Sequence, residues 1–140
     1  MKATWRQGGP ITLDAQGGIA FPELPWVPGA YRMTLSGAPG QGRPRVYIGE
    51  TDLLQRRMAH YRNPGPTQST NIRMNAALRK HLSTGGVASM AFIADTVART
   101  DDEQPLVPLD LSRKAARRLV ENAALVSAYL AGDADIENLD

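Results

Sequence analysis

Between residues 29 and 51 two alternating runs, AYRMTL and VYIGE, flank the segment SGAPGQGRPR, in which five of ten residues are glycine or proline. No other stretch limits the fold as much. Such a segment continues neither a strand nor a helix, so the runs on either side of it are expected to return antiparallel as a hairpin. Tyr31, Met33 and Leu35 then share one face of the first arm. Gly49, in the second arm, admits the close approach of another backbone or a ligand. Two of the four tyrosines, Tyr31 and Tyr47, stand on these arms. Antiparallel neighbours hold side chains about 5 Å apart. The two phenols are therefore either core residues or a pair gathered for chemistry.

The rest of the chain supplies elements to cover this hairpin. Residues 10–21, PITLDAQGGIAF, read as two short strands around Gly17-Gly18, and Pro22, Pro25 and Pro28 break the chain after them. Thr51 or Asp52 can cap a helix over LLQRRMAHY, whose Leu54, Met58 and Tyr61 form one stripe, and NPGP ends it. Thr70 can cap a second helix, NIRMNAALRKHL, closed by Gly85-Gly86. The apolar run VASMAFIADTV reads as a central strand, and TDDEQPLVP as a polar loop. A long helix starts near Ser112 and closes at Gly132. The expected fold is α/β in the α+β sense, a small, mainly antiparallel central sheet flanked by helices. Residues 1–25 are expected as an extra N-terminal β-hairpin, 26–132 as the main domain and 133–140 as an acidic tail.

Composition narrows the function classes. At 140 residues the chain is expected to form one domain. It has no apolar run near the ~18 residues that span a bilayer, so no membrane association is expected. There is no apolar stretch after Lys2 of the kind that opens a secretory signal, and no cysteine for a disulfide, a thiolate metal site or a thiol nucleophile. A cytoplasmic location is the expectation. The net charge of +2 hides an asymmetry: all 16 Lys and Arg lie in residues 1–120 against nine acids there, a balance of +7. The last 20 residues carry five acids and no Lys or Arg. Arginine outnumbers lysine 13 to 3. Guanidinium pairs with phosphate in a two-pronged geometry, so either a phosphate-rich partner or simply a basic solvated surface accounts for this.

The ordered set of GAY at 29–31, YIG at 47–49, an arginine helix, an apolar strand and a glutamate-bearing helix resembles the GIY-YIG nuclease family over roughly residues 26 to 130. The family motif has isoleucine where Ala30 stands, a change that bears on packing more than on chemistry. The resemblance implies a metal-dependent endonuclease acting on DNA, with RNA open as a second substrate. It further implies a site made of Tyr31, Tyr47, Arg57, Tyr61 and Glu121. Arg57 lies ten residues after Tyr47, and Tyr61 one helical turn beyond it. A rival register uses Arg56 and His60, also four apart. Glu121 is the single acid between Asp110 and Asp133 and carries over as the ligand of Mg²⁺ or Mn²⁺, with a salt bridge to Arg117 or Arg118 as its structural alternative. Tyr31 carries over as general base, with its pKa lowered by the metal or by Tyr47. Asn122 and Asn138 are the candidates for the asparagine that many members place after the glutamate.

Arg43 and Arg45 in the hairpin turn, and Arg62, Asn71 and Arg73 around the start of the second helix, are the candidate nucleic-acid contacts, with an ordinary interhelix connection as the plain alternative. Sequence specificity would come from the basic surface, a homodimer or a partner protein. A weakly catalytic nucleic-acid-binding module, or a subunit that depends on a partner, is the competing reading.

Overall fold

The computed structural model describes residues 1–138. In chain order it contains β1 (Lys2–Ala3), β2 (Arg6–Leu13), β3 (Ile19–Ala20), β4 (Gly29–Ser36), β5 (Arg45–Thr51), α1 (Leu54–Arg62) and α2 (Ser69–Ser83). There follow β6 (Val87–Ile93), β7 (Thr96–Ala98), β8 (Val107–Pro108), α3 (Lys114–Ala131) and β9 (Asp135–Ile136). The main sheet has the order β3-β2-β6-β4-β5-β9 and is antiparallel except where β9 joins β5. A small second sheet is made of β1, β7 and β8. No helix of the described residues is long and apolar enough to cross a membrane.

The hairpin forms as the glycine- and proline-rich segment dictates, with β4 and β5 paired from Gly29↔Thr51 to Leu35↔Arg45. The apolar run after α2 does supply a central strand, β6, paired with both β2 and β4. That run is shorter than its composition suggests. It turns at Ala94-Asp95, where exposed Asp95 meets Arg6 at 2.8 Å, and resumes as β7 in the other sheet. The strands β2 and β3 of the N-terminal hairpin are part of the main sheet, because β2 pairs with β6 from Arg6 to Ile11. A register shift between Gln7 and Gly9 bends β2 there, and Gly9 takes φ 123°, a conformation open to glycine.

Period-two alternation assigns the two sheet faces. Tyr31, Met33 and Leu35 point toward α1 and α2 and join Leu54, Met58, Tyr61, Met74 and Leu78 in the larger core. Ala30 points the other way and packs with Ile93, Leu111 and Val120 under α3. Asn75 locks the two helices of the first layer together by donating to the carbonyls of Tyr61 (2.8 Å) and Arg62 (3.1 Å), groups that the end of α1 leaves unpaired.

Helix starts fall one or two residues from the expected caps. Leu53, Gln68 and Arg113 occupy the cap positions, and none makes a side-chain cap bond. Thr51 acts just upstream, its hydroxyl accepting the Leu53 N–H at 3.3 Å. The long helix closes as expected at Gly132, in the left-handed region at φ 67°.

The acidic segment after α3 does not hang free. The Asp135 N–H donates to Pro44 O and the Glu137 N–H to Val46 O, both at 2.8 Å. Asn138 pairs through its side-chain amide with both the N–H and the C=O of Ile48. Leu139 and Asp140, the rest of that expected tail, lie outside the described residues.

Candidate active site

The α1 stripe fixes which arginine turns inward. Leu54, Met58 and Tyr61 are buried, so the neighbouring Arg57 lies along the sheet while Arg56 projects to solvent. Arg57 donates from Nε to the Tyr31 hydroxyl at 3.2 Å, and its guanidinium carbon lies 4.8 Å from the Tyr61 ring centre. The hydroxyls of Tyr31 and Tyr61 are 2.7 Å apart, with their rings edge to face. Three of the expected site residues thus form one hydrogen-bonded cluster. The other register is not assembled in this way: Arg56 reaches back one turn to Asp52 at 2.7 Å, and His60 makes no side-chain hydrogen bond among the described residues.

Tyr31 and Tyr47 share the helix-facing side of the hairpin, but diagonally. Tyr31 stands opposite Gly49, and Tyr47 opposite Met33. The Tyr31 ring leans across Gly49, so a Cβ at that position would lie 2.5 Å from the ring carbon Cζ. The glycine of the YIG run therefore makes room for the first tyrosine.

The expectation that Tyr31 acts as general base meets a physical obstacle. Its side chain is 1% exposed, and burial, outweighing the Arg57 charge, pushes the phenol up to about 12. At neutral pH it is a neutral hydroxyl held by Arg57 and Tyr61, out of reach of bulk water. Tyr61, also buried, is raised by burial and then by Tyr31. Tyr47 is only half-buried, and its phenol is raised by burial, by Tyr61 and, more weakly, by the charge of Glu121.

Glu121 approaches from the opposite layer, at the outer edge of β5. The outward backbone groups of that edge are satisfied by β9 at Val46 and by Asn138 at Ile48, and the Glu121 carboxyl lies near Glu50. Glu121 makes no salt bridge to Arg117 or Arg118 among the described residues. Arg117 is taken instead by Glu50, Nε to Oε2 at 2.6 Å, in a pair whose side chains are 8% and 14% exposed. Arg117 also donates to the carbonyls of Leu111 (3.1 Å) and Ser112 (3.0 Å). Burial and then the neighbouring Glu50 charge raise the Glu121 carboxyl above its ordinary value, with Arg118 and the Glu50 amide opposing. A half-buried carboxyl without a basic partner, next to a second carboxylate, suits Mg²⁺, which binds through one or two carboxylates and keeps several waters. Among the described residues no three His, Cys, Asp or Glu side chains gather as a closed metal cage.

Sequence reasoning passed over Glu50 and considered Arg117 only as a partner for Glu121. The available signal was the alternation Val46, Ile48, Glu50, which puts a carboxylate on the face buried under α3, where it requires a partner. Of the asparagine candidates, Asn138 reaches the β5 edge, whereas Asn122 is exposed on α3.

The expected nucleic-acid contacts divide. Arg45 and Arg73 line a pocket of about 190 Å³ beside Tyr47. Asn71 shares an open cleft of about 320 Å³ with Arg57, Thr67, Gln68, Ser69 and Thr70, at the N-terminus of α2. Asn71 is 3% exposed and donates to Gln68 at 3.0 Å. Arg43 stays at the surface but is engaged within the chain: it donates to the carbonyls of Gly132 (2.9 Å) and Ala134 (3.0 Å) and pairs with Asp135 at 3.5 Å. Arg62 is turned toward Asp14 at 3.3 Å.

No family model matches the chain, and no curated protein matches it. Among solved structures, a mutant form of bacteriophage T4 EndoII is similar, with a TM-score of 0.60 and 16% sequence identity over 96% of this chain and 92% of that one. The chain therefore has the mixed α+β fold of that phage protein, with the cluster described above on the hairpin and first helix.

Proposed function

We propose that this chain is a metal-dependent endonuclease of the GIY-YIG type that hydrolyses DNA phosphodiester bonds. The observation that carries the reading is the preassembled Tyr31–Tyr61–Arg57 cluster, with Tyr47 beside it and the Glu121 carboxyl at the adjoining strand edge. The fold shared with a phage endonuclease supports it.

A phosphodiester repels nucleophiles through its own charge, so the site must offset charge and position water. Arg57, fixed by Tyr31 and Tyr61, would face a non-bridging oxygen and stabilise the added charge of the transition state. Glu121, with Glu50 close by, would hold Mg²⁺ or Mn²⁺; when bound, such an ion supplies Lewis acidity toward the phosphate and the leaving 3′-oxygen. Tyr47, the accessible phenol, would orient the scissile phosphate or its attacking water by hydrogen bonding. Tyr31 becomes a positioning residue that aims Arg57 rather than a base. Arg45, Arg73 and the first turn of α2 would meet the DNA backbone, with buried Asn71 bracing that turn through Gln68.

Purified protein with supercoiled plasmid and Mg²⁺ or Mn²⁺ tests this, with EDTA as control. Glu121→Gln and Arg57→Ala should each lose about 10²-fold or more of the nicking rate, the scale of removing one transition-state stabiliser. Arg56→Ala should keep the wild-type rate within about twofold, as for a surface ion pair. Salt-sensitive DNA binding with no cutting would replace the proposal with a binding module. Equal activity of wild type and Glu121→Gln would remove the metal assignment.

A further inference from the structure

Helix α3 is apolar on two sides. Its inner side, with Arg117 and Val120 buried, packs on the sheet. On its outer side Leu119, Val126, Tyr129 and Leu130 are 51%, 56%, 59% and 83% exposed. Residues 122–131, NAALVSAYLA, carry no charged side chain at all. A helix on the surface of a monomer normally turns a polar face outward, and one apolar all round is covered on both sides. These four residues expose on the order of 500 Å² together, the size of the largest apolar patch on a protein surface (about 300–600 Å²), which is often a binding face.

We propose that this outer face is covered by the α3 helix of a second copy, packed antiparallel about a twofold axis. Leu119, Ala123, Val126 and Leu130 recur at the 4-3-4 spacing of a helix–helix seam. The set is self-complementary when reversed: with the axis midway between Ala124 and Leu125, Leu119 meets Leu130 of the second copy and Ala123 meets Val126. Two such faces bury on the order of 1,000 Å², the lower bound for a specific interface. Glu121 lies on the sheet side of α3 and stays open. This pairing is independent of the nuclease reading, but if both hold it brings two cleaving sites into one particle.

Sedimentation velocity of the full chain at micromolar concentration tests it without reference to activity. Wild type should sediment at twice the 15.2 kDa chain mass. Leu119→Lys and Leu130→Glu should each fall to the single-chain mass with unchanged circular dichroism, both positions being exposed. The double variant Leu119→Lys/Leu130→Glu should recover the dimer, since each lysine then faces a glutamate. Wild type at the single-chain mass overturns the proposal and leaves the face to a different partner. A dimer that neither single variant weakens, or a double variant that stays monomeric, overturns the assigned surface and register.

Discussion

Gly49→Ala separates the geometry described here from general expectation. Gly49 does not have a positive φ, so alanine fits its backbone, and replacing a strand glycine would ordinarily stabilise by roughly 0.5–1 kcal/mol. Here the new Cβ would lie 2.5 Å from Tyr31 Cζ, closer than real Cβ contacts come, and closer still to the hydroxyl oxygen. The ring must move. Overpacking costs about 1–3 kcal/mol, and pulling a buried hydroxyl off its partners Tyr61 and Arg57 about 1–3 more. Set against the strand gain, the net destabilisation is about 1–5 kcal/mol, a fall in Tm of about 3–15 °C for a domain of this size. Thermal unfolding followed by circular dichroism reads this directly. In a Tyr31→Ala background the obstacle is gone, and the same Gly49→Ala change should be neutral or mildly stabilising. An unchanged or raised Tm for the single variant, or an equal loss in both backgrounds, would refute the packing of Tyr31 over Gly49.

Three further outcomes follow from the site's supports. Arg117→Met leaves Glu50 buried and unpaired, which should cost about 3–5 kcal/mol in urea unfolding, whereas Glu50→Leu/Arg117→Met should recover most of it; equal losses would mean the pair does not hold α3. Glu121 has a folded-state pKa above its unfolded value, so its charge opposes folding fully above the folded pKa, and that penalty disappears as pH falls below the ordinary carboxylate range. Glu121→Gln should therefore raise Tm at pH 8 and leave it unchanged at pH 3, and a lower Tm at pH 8 would show the carboxylate to be stabilising. Asn138→Ala removes two backbone contacts at the β5 edge and should lower stability by about 1–2 kcal/mol. It should also speed amide exchange at Ile48, and unchanged Ile48 exchange would show that the chain end is not clasped there.

What was legible in the sequence was what repeats. Period-two runs and a glycine- and proline-rich turn revealed the hairpin, and the spacing of Leu54, Met58 and Tyr61 revealed α1 and with it the inward register of Arg57. The edge devices were not legible. β1, β8 and β9 are two residues each, too short to show any period, and they exist because distant backbone edges need partners. The expected caps misplaced the helix starts because Leu53, Gln68 and Arg113 make no side-chain cap bonds. The burial of Tyr31, which weighs against a role as general base, is reported by no local pattern. Glu50 and Arg117 lie 67 positions apart, and their pairing follows only from α3 crossing the far face of the hairpin.

The way Arg57 is held has a consequence for how a ligand would experience it. Among the described residues no carboxylate pairs with this guanidinium; two neutral phenols hold it instead, one accepting from Nε and one beneath its plane. An arginine free to rotate loses about 2 kcal/mol of rotamer entropy when a ligand immobilises it. In this fold most of that ordering already happens as the chain folds, and it happens without an internal anion that an incoming phosphate would have to displace.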